Sequence, residues 1–213
     1  MKNLLLSSFL FLSLILSACS SSLHGFQKTR VTNILTNRSK LLIVNDTIEK
    51  VYTTHITFLK QTFSGLMIVK PYDSGDLRVV FMTETGVKIF DMGIPLSTSK
   101  KSEVFYCIDP LNKGAILHSI KNDLSVLFMR NISKGQITEY TRNADAVFVY
   151  KNKGFKRSYY SVKNNHITTA TQYGLLAKSC TGSYFYTKSI VPDSLTLKHT
   201  HLKMSFELRL IPD

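Results

Sequence analysis

Apolar residues recur along most of this chain at every second position, the period of a β-strand with one face buried and the other in water. The alternation is plainest near the C-terminus. Leu195 and Leu197 alternate with Thr196 and Lys198, and Leu202, Met204, Phe206, Leu208 and Leu210 alternate with Lys203, Ser205, Glu207 and Arg209. Other segments rich in Thr, Ile, Val and aromatic residues predict further strands. They are Ile48 to Leu59, Phe63 to Lys70, Leu77 to Met82, Val87 to Met92, Glu103 to Ile108, Ala146 to Lys151, Phe155 to Val162, Ile167 to Tyr173 and Leu175 to about Lys188. Leu41 to Asn45 reads as a short buried strand. Thr83-Glu84-Thr85-Gly86 is a tight turn that makes an antiparallel hairpin of its flanking strands, and Asn152-Lys153-Gly154 does the same further on.

One stretch has a different period. Ile116, Ile120, Leu124 and Leu127 follow at helical spacing after Asp109, a favoured N-cap, and Pro110, suited to a first helical position. This predicts a helix over 111–129 whose apolar stripe must lie on the sheet. A looser amphipathic helix is expected up to about Arg38, supported by Phe26, Ile34 and Leu35.

The N-terminus changes the picture. Met1-Lys2-Asn3 precedes the apolar run Leu4 to Leu16 and then Ser17-Ala18-Cys19. A basic tip, an apolar run too short for the ~20 residues that span a bilayer, and small residues before a cysteine make a bacterial secretory signal. It resembles the lipoprotein class, in which the cysteine, here Cys19, is lipidated and the chain is cut before it. Ser20, in place of the Asp that retains such proteins in the inner membrane, favours the outer membrane and a domain facing the periplasm. Residues 1–18 are then signal peptide, 19–45 a lipidated tether with a short helix or strand, and 46–213 one folded domain. The net charge of +13 favours anionic partners. For an exported protein these are lipid headgroups, acidic polysaccharide or acidic envelope proteins rather than nucleic acid. The basic residues are scattered, as a solvated face would have them. Cys107 and Cys180 remain as a pair. A disulfide between them would close a loop long enough to stabilise by roughly 4 kcal/mol, and two buried free thiols are equally compatible.

Catalytic signatures are missing: no G-x-S-x-G elbow, P-loop, H-E-x-x-H or dinucleotide fingerprint occurs. No cofactor is implied. His199 and His201 are the best metal candidates, yet without a nearby Cys or carboxylate they read as surface histidines at a strand bend. His118 reads as a partly buried structural histidine in the helix. Asp91 and Asp109 read as turn-making or helix-capping residues.

A long antiparallel sheet broken near its middle by one helix resembles the LolA and LolB family of lipoprotein carriers. The resemblance covers roughly Lys50 to Ile211. It rests on Phe63-Ser64-Gly65-Leu66-Met67-Ile68-Val69-Lys70, on Leu77-Arg78-Val79-Val80-Phe81, on Gly86-Val87-Lys88-Ile89-Phe90-Asp91, and on Val191-Pro192-Asp193-Ser194-Leu195-Thr196-Leu197 before a final strand. It implies a mainly β (α+β) fold, a curved antiparallel sheet forming an unclosed barrel. One long helix, and a short N-terminal one, would cover its concave side, and the hollow would receive acyl chains. Two departures stand out: the turn Thr83–Gly86 lacks the projecting leucine of LolB-type carriers, and the chain has no Trp to supply the family's lining. An acylated or otherwise apolar ligand would lie against Phe63, Leu66, Ile68, Val79, Phe81, Ile89, Ile120 and Leu124, each of which would serve equally as plain core. The runner-up is a non-enzymatic structural lipoprotein that binds another envelope protein through a sheet edge or a basic face.

Overall fold

In the stretch Tyr52-Thr53-Thr54-His55-Ile56, residues 52, 54 and 56 are buried and 53 and 55 exposed, so the two-residue period folds as a strand with one wet face. A computed structural model describes residues 23, 25–33, 49–72, 75–96, 100–130, 136–151, 155–175, 177–187 and 191–212. Its strands are β1 (Gln27–Asn33), β2 (Lys50–Phe58), β3 (Gln61–Tyr72), β4 (Asp76–Thr83), β5 (Lys88–Ile94), β6 (Glu103–Cys107), β7 (Gln136–Arg142), β8 (Asp145–Lys151), β9 (Arg157–Lys163), β10 (His166–Tyr173), β11 (Lys178–Phe185), β12 (Ser194–His199) and β13 (Met204–Leu210). Helix α1 (Gly114–Leu127) stands between β6 and β7.

All thirteen strands belong to one antiparallel sheet, in the order β1-β7-β8-β9-β10-β11-β12-β13-β2-β3-β4-β5-β6. The sheet is curved and unclosed, with β1 and β6 as its edges and a single helix among the described residues. The chain runs outward from β2 to the β6 edge, crosses the hollow as α1, and returns from β7 to β13, which pairs with β2. That crossing is why α1 touches β5 on one side and β10, β11 and β12 on the other.

The β4–β5 hairpin forms at the expected turn. Thr83 and Val87 exchange hydrogen bonds and Gly86 takes φ 82°, a conformation cheap only for glycine. At Gly65 in β3, by contrast, close approach decides the residue: a Cβ there would run into the Met82 carbonyl and lie 2.7 Å from Thr83 Cα.

Three expectations differ. The segment read as an N-terminal helix forms strand β1 over its described part, where the β-branched Thr29, Val31 and Thr32 join β7, itself unexpected. Helix α1 starts at Gly114 rather than near Leu111. Leu111 and Asn112 donate to the Ile108 carbonyl in a separate turn, and the first helical bond runs from Leu117 to Lys113. Asp109 lies in that turn and caps nothing. At the other end Met129 donates to Val126 and Arg130 to Ser125, a Schellman closure that holds Met129 at φ 54°. The expected strand Leu41–Asn45, the polar residues Ser20 to Ser22 with Cys19, and the signal segment lie outside the described residues.

Candidate functional site

Pairing register lines up the concave side chains in rows. Met67, Phe81 and Phe90 face one another across β3, β4 and β5; Val69, Val79 and Met92 form the next row. Tyr52, Ile56, Phe206, Leu195 and Leu197 continue this apolar surface through β2, β13 and β12, and α1 lays Ile120, Leu124 and Leu127 on it.

Of the expected lining residues, Val79, Phe81 and Leu124 have no exposed surface and Ile120 and Ile89 almost none. No water-sized space touches the first three, so among the described residues side chains fill the space around them between helix and sheet. Phe63 packs at the border of the same cluster. Leu66 and Ile68 face the other way. Their register partners are Met82 and Val80, while Met67 and Val69 hold the concave positions of β3. A strand turns each successive side chain to the opposite face, so these two cannot join the other six.

A polar strip crosses the same interface. His199 Nδ1 lies 2.9 and 3.2 Å from the two carboxylate oxygens of the fully buried Asp123 on α1. Asn122 donates to Gln172 Oε1 at 2.8 Å, and Gln172 donates to Ser158. Tyr160 and Tyr184 donate their hydroxyls to the carbonyls of Val126 and Leu127 at the end of α1. Burial, helped by Tyr186 and Cys180 nearby, pushes the Tyr184 phenol well above its ordinary pKa, so it remains a donor. Arg130 reaches the Gly75 carbonyl at 2.7 Å and ties the helix end to the β3–β4 turn. The Tyr52 hydroxyl makes no hydrogen bond, although its residue is fully buried.

Sequence reasoning missed the Asp123–His199 pair. His199 shares the inward parity of Leu195 and Leu197, and Asp123 falls within the Ile120–Leu127 stripe; those were the available signals. His201 is exposed, as expected, and His118 is exposed rather than partly buried. Even so, its pKa is lowered, first by partial desolvation and then by Lys156 and Lys121. Among the described residues no three His, Cys, Asp or Glu side chains gather at a metal-sized site.

The cysteines are not joined. Cys107 lies on the edge strand β6 and Cys180 is buried on β11, and each carries a free thiol. Burial first, then the Asp123 carboxylate, pushes the Cys180 thiol far up, which leaves it unreactive.

On the convex face Asp91 is not a turn residue. It sits inside β5, almost fully buried, and accepts two hydrogen bonds from Arg78 at 2.8 and 2.9 Å and one from Lys88 at 2.9 Å. A register shift at Phe81/Met82 puts Lys88 on the same side as Asp91. The Arg78 bonds, aided by Lys88, hold the Asp91 carboxyl below its usual range against the effect of burial. Beyond Arg78, whose guanidinium lies over Phe105, is a cleft of about 340 Å³ lined by Tyr72, Asp76, Lys100 and Glu103. It is mixed in polarity and away from α1.

No protein-family profile matches the chain, and neither does any curated protein. Among solved structures the fold is similar to a domain from Vibrio parahaemolyticus described as an outer membrane lipoprotein-sorting protein domain. The TM-score is 0.41 at 10% identity, over 84% of this chain and 88% of that one.

Proposed function

We propose that this chain is a non-enzymatic envelope lipoprotein, tethered to the outer membrane through a lipidated Cys19, that takes up an acyl chain or similar apolar ligand between α1 and the concave sheet. The observation that carries this reading is the Tyr52 hydroxyl, buried in the same apolar cluster without a partner. Such an orphan costs about 1–3 kcal/mol, and the carboxyl, ester or amide of an acylated ligand would relieve it. Because side chains fill the interior, entry requires α1 to lift from the sheet. Its polar hold there is short: the Asp123 and Asn122 contacts, the two tyrosine hydroxyls and Arg130. Native mass spectrometry of the purified protein should reveal bound lipid, and a fluorescent fatty acid should be displaced by unlabelled acyl ligand. Tyr52→Phe should weaken that binding roughly fivefold or more without lowering stability. Absence of both bound lipid and probe displacement would end this reading.

The filled interior and the β6 edge favour a second one. Val104, Phe105 and Tyr106 are exposed on a strand whose outer hydrogen-bonding side has no neighbour in the sheet among the described residues, a form that invites an added strand from a partner protein. Pull-down from envelope extracts with and without Phe105→Lys separates the two readings.

A further inference from the structure

Strand direction sorts the turns between two ends of the sheet. Five hairpins, β8–β9, β10–β11, β12–β13, β2–β3 and β4–β5, follow one another along the sheet and all turn at the same end. Four of the five hold an exposed apolar side chain. Phe155 is 74% exposed, Leu175 66%, Val87 58% and Leu59 57%. The fifth turn carries His201 and Lys203, both exposed. At the opposite end the β7–β8 and β9–β10 turns hold Asn143, Asn164 and Asn165 at positive φ, the residue type that tolerates that backbone. Leu59 occupies the same left-handed region, at φ 56°. An exposed leucine where asparagine or glycine would be easier is a local cost with no packing return.

Basic side chains flank these tips. Lys151 and Arg157 bracket the Phe155 turn, Lys178 closes the Leu175 turn, and Lys60 follows Leu59; all four are exposed. Among the described residues the acidic ones at this end are Glu84 and Asp109. Exposed apolar residues elsewhere differ in setting: Phe185 and Ile211 lie at the other end, and Val104, Phe105 and Tyr106 along the β6 edge.

We infer that this rim docks on an anionic bilayer, the apolar tips entering the headgroup boundary while the lysines and arginine meet lipid phosphates. Apolar points ringed by long cationic side chains match that surface in both respects: the tips leave water, and the charges stay at headgroup level. A protein partner would demand a fixed complementary shape, whereas a fluid interface accepts separate tips of unequal height. Strand β1 enters the sheet at the end away from the rim.

The chain contains no Trp, so introduced tryptophans report their own sites. In the chain without residues 1–19, so that neither the apolar signal run nor a lipid contributes, Phe155→Trp and Leu175→Trp should shift to the blue and be quenched by acyl-brominated lipid on vesicles rich in phosphatidylglycerol. Ala144→Trp, on a turn at the far end, should show neither effect. Each of Lys60→Gln, Lys178→Gln and Lys203→Gln should lower partitioning about fivefold at low salt. Leu59→Asn should weaken partitioning while raising Tm, which excludes misfolding as the cause. Equal shifts at both ends, equal binding to neutral phosphatidylcholine vesicles, or a blue shift that follows protein concentration without lipid would each overturn the inference; the last would indicate self-association.

Discussion

Replacing Leu124 by Ala tests whether the α1–sheet interface is the tightly filled core described above, and Leu66→Ala supplies its internal comparison. Leu124 has no exposed surface and sits among Ile120, Leu127 and the concave row residues. Removal of its side chain loses the transfer energy of three carbons and leaves a cavity that rigid strands cannot close, about 2–5 kcal/mol in comparable cores. For a domain of this size each kcal/mol lowers Tm by roughly 2–4 °C, so a fall of about 7–14 °C is expected for a mid-range loss. Leu66, half-buried on the convex face opposite Met82, should cost about 1 kcal/mol and a few degrees. Thermal and urea unfolding followed by circular dichroism measures both. If Leu66→Ala costs as much as Leu124→Ala, the assignment of faces is wrong. If Leu124→Ala is nearly neutral, α1 is not seated on a packed core. The variant's new cavity should also bind small apolar probes that the parent excludes.

Asp91→Asn should cost about 1–3 kcal/mol at neutral pH, because it removes an acceptor held by two cations. The folded carboxyl is held below the unfolded value, so its stabilisation is complete above pH ~4 and lost as pH falls through the folded pKa; chemical denaturation across pH 2–7 should show parent and variant converging in acid. A constant gap over that range would refute the ion-pair account. Gly65→Ala should be among the most damaging single substitutions, several kcal/mol, since the added carbon meets the backbone of β4 rather than a movable side chain; little change in the urea midpoint would contradict the close approach. In a Cys19→Ala background, thiol reagents should find two free thiols in denaturant, with Cys107 the faster in the native protein and Cys180 protected until unfolding; no titratable thiol would restore the disulfide.

Local chemistry made much of the architecture legible. The Thr83–Gly86 turn specified the β4–β5 hairpin, and Ile120, Leu124 and Leu127 specified which stripe of α1 meets the sheet. Strands β1 and β7, at one border of the sheet, were not legible, because Gln27–Asn33 and Gln136–Arg142 are mostly polar and owe their strand form to each other and to β8 rather than to an alternating core face. Ile120 and Leu124 do face the sheet, whereas Leu66 and Ile68 face away from it: β3 is apolar on both faces, so composition could not choose between Met67 and Leu66. The Asp123–His199 pair joins residues from α1 and β12, and the Asp91 cluster depends on a register shift; neither relation is local in sequence.

The pairing of β13 with β2 places the last strand of the chain near the centre of the sheet, where Thr53 and Arg209 bond although they are 156 residues apart. Until that final segment has been synthesised, the β2–β6 and β7–β12 portions have no strand-to-strand link among the described residues. Completion is therefore a late, long-range zippering event, expected to be slow by the measure of contact order. A chain truncated before Met204 would lose the seam that makes two half-sheets one, a far larger loss than trimming either border strand.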